Sequence, residues 1–188
     1  MNYKQRRNFL WTLLLIGLAL IAVVANATTL SRLSFDDMTA MATAIARVRC
    51  LGSSSFLKEG EIWTRTRLEV LEQNKGDLPA TVEIEMPGGA MENLHAQVDA
   101  IPTFRPGEEA YLFLWSQSGE SLRVLGWTQG TFRVTRDVQT GAESVTQDSA
   151  AAPMFDPLTR QFRKGGVRRM PIAAFQLKLK RALEKSLQ

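Results

Sequence analysis

Residues 61–86 read EIWTRTRLEVLEQNKGDLPATVEIEM, and the reading of this stretch decides the fold. Its first half alternates with a period of two. Ile62, Thr64, Thr66, Leu68 and Val70 fall on one face, and Trp63, Arg65, Arg67, Glu69 and Leu71 on the other. Successive side chains of a β-strand point to opposite faces, so the pattern predicts a strand over residues 61–73 with one buried side. Asn74-Lys75-Gly76-Asp77 then carries turn chemistry. Beyond it Ala80, Val82, Ile84 and Met86 face inward while Thr81, Glu83 and Glu85 face water, which is the clearest strand of the chain.

The same period extends outward on both sides. Upstream, Ala46, Val48 and Cys50 alternate with Arg47 and Arg49, a half-buried strand with its arginines in water. Gly52-Ser-Ser-Ser55 reads as a turn or loop. Before that strand, Ser34-Phe-Asp-Asp37 has capping-box spacing, and Phe35, Met38, Met41, Ala42 and Ile45 recur at helical intervals. Downstream, Pro87-Gly88-Gly89 ends the strand, and a loop-like stretch with a short strand at 94–98 follows. Residues 110–115 are apolar on both faces and read as a central strand. Residues 122–125 and 132–134 are two further strands around a turn bracketed by Gly126 and Gly130, and residues 140–152 read as an exposed loop. A last helix begins at Pro171, with Ile172, Phe175, Leu179 and Leu183 as its apolar stripe. Helices do not alternate with strands, which argues against parallel α/β. The expected fold is mainly β, a small OB-like closed or partly open barrel with one N-terminal and one C-terminal helix.

The N-terminus carries an address. Lys4, Arg6 and Arg7 precede an apolar run from Phe9 to Val24, and Ala25-Asn26-Ala27 supplies small residues for a leader peptidase. This is the pattern of a secretory signal peptide over residues 1–27, cleaved after Ala27. The run is 16 residues long, short for a membrane span of about 20. Export to the periplasm or the extracellular space follows, and the lack of any Asn-x-Ser/Thr sequon in the expected mature chain from Thr28 fits a bacterial envelope; Asn26-Ala-Thr28 straddles the cleavage site. Cys50 is the single cysteine, so there is no internal disulfide and stability must come from the core.

The chain has 23 basic and 19 acidic residues. Three of the basic ones lie in the leader, which leaves the mature chain near +1. Residues 28–152, the expected barrel, hold 11 basic and 17 acidic residues, whereas residues 153–188 hold 9 and 2. A basic tail and an acidic body favour docking of the tail helix on its own barrel; the alternative is an anionic partner such as lipid or another polyanion.

Catalytic chemistry is sparse. His95 is the single histidine and sits in a Pro/Gly-flanked loop. With one inward cysteine beside it, the ligand types of a zinc site are missing. No Gly-x-Ser-x-Gly elbow and no Walker or Rossmann glycine pattern occurs. Glu83/Glu85 share the wet face of a strand and Glu108/Glu109 follow a turn, neither in an enclosed setting that would raise a carboxyl pKa. No catalytic residue, cofactor or metal is expected. Trp63, Arg65 and Arg67 stand apart: an aromatic and two arginines alternate on one strand face, which reads either as an edge strand guarded by charge against aggregation, the favoured reading, or as the arrangement with which OB-folds hold single strands or sugars. They are the candidate partner-binding residues.

Phe35-Asp-Asp-Met38, Leu71-Glu-Gln-Asn-Lys-Gly76, Met86-Pro-Gly-Gly89, Phe104-Arg-Pro-Gly-Glu-Glu109, Tyr111-Leu-Phe-Leu114 and Gly126-Trp-Thr-Gln-Gly-Thr-Phe132 follow one another in an order that resembles an uncharacterised secreted bacterial β-barrel family. The layout is similar, more distantly, to the netrin-like domain of metalloproteinase inhibitors, an OB-type barrel. Those inhibitors place an N-terminal cysteine on the protease zinc. Here the expected mature N-terminus is Thr28 and Cys50 lies within a strand, so that mechanism does not carry over.

The expectation is an exported, non-enzymatic binding or interaction module of the bacterial envelope, with an envelope protein or glycan as partner and no specific nucleic acid. The alternative is a membrane- or polyanion-associated protein acting through the basic tail. A hydrolase using loop acids is the third reading.

Overall fold

The computed structural model describes residues 31–116 and 121–186; the leader and its cleavage site lie outside the described residues. Arg32–Gln188 form one compact unit, built mainly of β-strands with one helix at each end. Helix α1 (Phe35–Met41) starts on Ser34, whose hydroxyl oxygen accepts the Asp37 N–H at 3.0 Å and whose O–H donates to the Asp37 carboxylate at 2.6 Å. The N-cap bond of the capping box is thus made, and Asp37, in place of Glu, reaches back to the Ser34 hydroxyl. No basic residue lies in its last turn. Instead the Lys75 ammonium donates to the Thr39 and Ala40 carbonyls at 2.8 and 3.0 Å, satisfying the orphan acceptors of that end.

Strands β1 (Ala44–Lys58), β2 (Glu61–Lys75) and β3 (Thr81–Pro87) follow, then the small hairpin β4 (Gly89–Met91) and β5 (Leu94–Ala96). Next come β6 (Glu109–Trp115), β7 (Arg123–Val124), β8 (Thr131–Arg136) and β9 (Glu143–Gln147). The chain ends with the hairpin β10 (Pro153–Asp156) and β11 (Gln161–Lys164), strand β12 (Met170–Pro171) and helix α2 (Ile172–Ser186). The main sheet is antiparallel in the order β12-β9-β8-β6-β1-β2-β3, with β7 also on β6. Among the described residues, no helix is long and apolar enough to cross a membrane.

Two expectations are corrected here. Gly52–Ser55 is not a loop, because β1 runs on to Lys58 and turns at Glu59–Gly60. Small polar residues look like a turn in the sequence, but here Ser53 and Ser55 are paired with Thr66 and Thr64 across the ladder. A bulge between Cys50 and Gly52 restores the inward face after Leu51. Residues 140–152 are not an exposed loop either. They hold β9 and a short 3-10 turn (Asp148–Ala151), with Val145, Gln147, Ser149 and Ala150 buried. Polar Gln147 can sit there because its side chain donates to the Gln129 carbonyl at 2.6 Å and accepts the Val167 N–H at 3.3 Å.

The sheet separates two cores. On one side lie Ala44, Ala46, Val48 and Cys50 of β1, Leu68, Val82, Ile84 and Met86, and Ala110, Leu112 and Leu114 of β6. On the other lie Ile45, Tyr111, Phe113, Phe132 and Val145, covered by Met38 of α1 and by Phe175 and Leu179 of α2, with Ile172 and Leu183 packed around them. Strand β6 is buried on both faces, which is why its sequence shows no alternation.

The first core curls. Two further bulges, at Ile45/Ala46 and Arg47/Val48, coil the β1–β2 ribbon. Leu122 makes one parallel bridge to Ile84, and the Glu85 N–H donates to the Leu122 carbonyl at 3.0 Å. The end strands β3 and β12 do not pair with each other, so the sheet is not closed into a barrel. Strands β8, β9 and β12 continue away from β6 to make the floor for the helices instead of wrapping back.

Candidate functional site

The curl leaves a groove of about 630 Å³ at the end where β1 and β2 turn. That is within the range of small-molecule sites. Ser53 and Ser55 of β1 and Thr64 and Thr66 of β2 line one side. Val98, Ile101, Pro102 and Phe104 form an apolar wall opposite. His95 and Asp99 are the ionisable residues of the lining, and both are solvent-exposed.

The hydroxyls are arranged by the register. Ser55 and Thr64 lie 3.4 Å apart; Thr64 donates to the Gly88 carbonyl at 2.7 Å, and the Ala90 N–H donates to Ser55 at 3.2 Å. That half of the row is therefore spent. Ser53 and Thr66 share a single bond of 2.9 Å in which either can donate. Two hydroxyls joined by one bond leave one O–H undonated, and both oxygens keep an acceptor lone pair. Gly89 (φ +136°) packs so closely that a Cβ would run into the Thr64 and Ser55 hydroxyls. The β4–β5 hairpin folds over the row for that reason.

Trp63, Arg65 and Arg67 lie on the opposite face of β2 from Thr64 and Thr66. The structure brings the first two into one cluster. The Trp63 ring has the Lys58 ammonium at 4.8 Å and the Arg123 guanidinium at 5.3 Å from its centroid. Arg65 lies over Phe56 at 4.7 Å and pairs with Glu85 at 2.7 Å and Glu83 at 3.6 Å. Arg67 is exposed opposite Glu83 in the register and makes no salt bridge among the described residues. At the centre of the cluster Glu85 is buried rather than wet, 6% exposed. Burial pushes its carboxyl up, but hydrogen bonds from Arg65, Lys58 and Ser121 outweigh that and hold it at about 2.

A second ionic chain crosses the helix-side face of the sheet. Arg49 bridges Glu69 (3.0 Å) and Glu109 (2.8 Å), Arg47 bridges Glu109 (2.7 Å) and Glu143 (3.0 Å), and Arg136 ends it on Glu143 at 2.8 Å. The arginines expected in water are thus half-buried and paired. Glu108 and Asp148 together hold Arg133, at 2.6 and 2.8 Å. Beside this chain the buried Tyr111 hydroxyl donates to Glu72 at 3.1 Å and accepts from Gln176 at 3.1 Å. Burial raises it to about 12.

These carboxylates already neutralise arginines and are poorly placed to act as acids or bases on a ligand. Cys50 is free and buried in the curl. Among the described residues no group of three or more His, Cys, Asp or Glu side chains could hold a metal ion. Sequence reasoning placed Thr64 and Thr66 on the correct face but missed Ser53, Ser55 and the 97–104 wall, which become a site only through the bulge. No family model, curated protein or solved structure matches this chain.

Proposed function

We propose that this protein is an exported, non-enzymatic binding module of the bacterial envelope that holds a neutral glycan in the groove between Thr66 and Phe104. The observation that carries this reading is the unspent Ser53–Thr66 hydroxyl pair facing an apolar wall, in a groove whose lining has only His95 and Asp99 to offer as charges. A sugar presents the matching surface: hydroxyls on its edge to exchange hydrogen bonds, and a C–H face to lie on Ile101 and Phe104. The Trp63/Arg65 cluster is the weaker binding face, because both side chains already hold partners around Glu85.

The curl of β1, β2, β3, β7 and β6, coiled by three bulges and pinned at Ile84–Leu122, supports an OB-like, partly open barrel of the netrin-like kind with the groove at its mouth. Export with cleavage after Ala27 completes the proposal, and N-terminal sequencing of the envelope form should begin at Thr28.

Titration of the isotope-labelled protein with neutral N-acetylhexosamine oligosaccharides tests the groove. Amide shifts confined to Ser53, Thr66 and residues 97–104 are expected, and Thr66→Val should abolish them. Shifts centred on Trp63 and Arg65, or none with any envelope glycan fragment, would reject the groove.

A further inference from the structure

The basic tail spends only part of its charge where its apolar stripe lies: Lys185 pairs with Asp36 at 2.7 Å and Lys178 lies 4.7 Å over the Phe35 ring. Phe175 and Leu179 of α2 are buried against Tyr111 and Phe132, so that helix has spent its apolar stripe, and Leu177 is the one large apolar side chain it still exposes among the described residues. The β10–β11 hairpin exposes two, Leu158 and Phe162. It forms its own two-stranded sheet. Its Met154 side is buried, and Asp156 lies 3.9 Å from Arg32. Its other face carries the cross-strand pair Phe155–Phe162, ring centroids 5.7 Å apart. Phe162 is 63% exposed, and Leu158 at the tip is 94% exposed. Lys164 shares their face, Arg160 sits at the turn, and Arg163 lies on the Met154 face beside them, all exposed. The one acid of the hairpin, Asp156, is taken up by its own turn, accepting the Leu158 and Thr159 N–H groups at 3.0 and 3.3 Å.

We propose that this hairpin is an interfacial anchor for an anionic lipid surface: Leu158 and Phe162 enter the headgroup region while Arg160, Arg163 and Lys164 contact lipid phosphates. Charge complementarity selects this occupant. Cations on both faces and at the turn of the hairpin flank two large, exposed apolar side chains, the composition of a shallow membrane-surface contact. A protein partner would be expected to meet a broader apolar patch than two side chains.

The test places an environment-sensitive fluorophore on the full chain at Leu158→Cys, with Val138→Cys, at the exposed turn after β8, as the control tip. Cys50 is buried and is not expected to compete for label. With vesicles of phosphatidylcholine and phosphatidylglycerol, emission at 158 should shift to the blue and emission at 138 should not; phosphatidylcholine alone should shift neither. Neutralising Arg160, Arg163 and Lys164 together to Gln should weaken the response on the order of a hundredfold, as high salt also should. Phe162→Asp should remove it while lowering the melting temperature by only a few degrees, since the ring is 63% exposed and its packing is confined to the Phe155 pair. Equal shifts at both tips, a shift on uncharged vesicles, or binding of soluble dextran sulfate in place of vesicles would overturn the proposal.

Discussion

The two sides of strands β1 and β6 are built to opposite ends. Tyr111 and Phe113 send large rings to one side, where Phe35, Phe132 and Phe175 complete a cluster with centroid distances of 4.9–5.9 Å and two helices seal it. Ala110, Leu112, Ala44, Ala46 and Val48 send small aliphatic groups to the other, where no α-helix among the described residues covers them and the sheet must curl to bury them. The first side is therefore full. The second runs out of side-chain volume toward the β1–β2 turn, and hydroxyls line what is left. One sheet thus has a face that holds the fold together and a face with room for a ligand.

The sharpest break of that contrast is at Phe175. Truncation to Ala removes the ring that touches Phe35, Tyr111 and Phe132 and detaches α2 from the sheet. The expected loss is about 3–5 kcal/mol, read as a fall in melting temperature of roughly 10 °C. A loss under ~1 kcal/mol would mean that the helices are not what seals this side.

Where the helix-side face of the sheet continues onto β3, Glu85 gathers Arg65 and Lys58 over that surface. Its carboxyl is held at about 2 against an ordinary 4.5. A depressed folded-state pKa gives stability that is full above the unfolded value and is lost as pH falls from about 4.5 toward about 2. Allowing for solvent around the half-exposed Arg65 and Lys58, this amounts to about 2 kcal/mol. Denaturant titrations should show that acid-dependent loss in the wild type and much less of it in Glu85→Gln, which starts less stable at neutral pH. Parallel pH curves for the two proteins would remove Glu85 from the account.

What the sequence shows and hides follows the same division. Period-two alternation over 61–86 and the unbroken apolar run 110–115 exposed the sheet, its central strand and the inward face of Thr64 and Thr66, because burial on one or both faces writes itself into residue type. Bulges leave no such mark. One extra residue at Leu51 turned Gly52-Ser-Ser-Ser55 from an apparent loop into half of the groove. Gln147 was hidden for a different reason: a buried amide reads as surface until both of its partners, the Gln129 carbonyl and the Val167 N–H, are known. Glu85 looked solvated because alternation gives its face but not the Arg65 and Lys58 side chains that close over it.

Cys50 probes how tightly the curl is packed. It is 2% exposed, among Val48, Leu68 and Ala110. Cys50→Ala should cost about 1 kcal/mol by lost packing, and the native thiol should react with a bulky reagent only as fast as the protein opens. Fast labelling would show the aliphatic side to be looser than its burial indicates.

The smallest effect on stability is expected where the effect on binding is largest. Thr66→Val removes the hydroxyl from the inner floor of the groove and leaves Ser53 without its 2.9 Å partner. Ser53 is exposed and water can replace that partner, so the stability cost should stay near 0.5 kcal/mol, below the 1–3 kcal/mol of a stranded buried group. The double variant Ser53→Ala/Thr66→Val should cost no more than Thr66→Val alone, because removing both ends strands nothing. Denaturant midpoints of the single and double variants, measured beside glycan titrations, separate the two roles. Equal stability with lost binding marks the pair as the ligand contact. A cost above ~1.5 kcal/mol for Thr66→Val would instead make the hydroxyl row part of the scaffold and erase the contrast between the two faces.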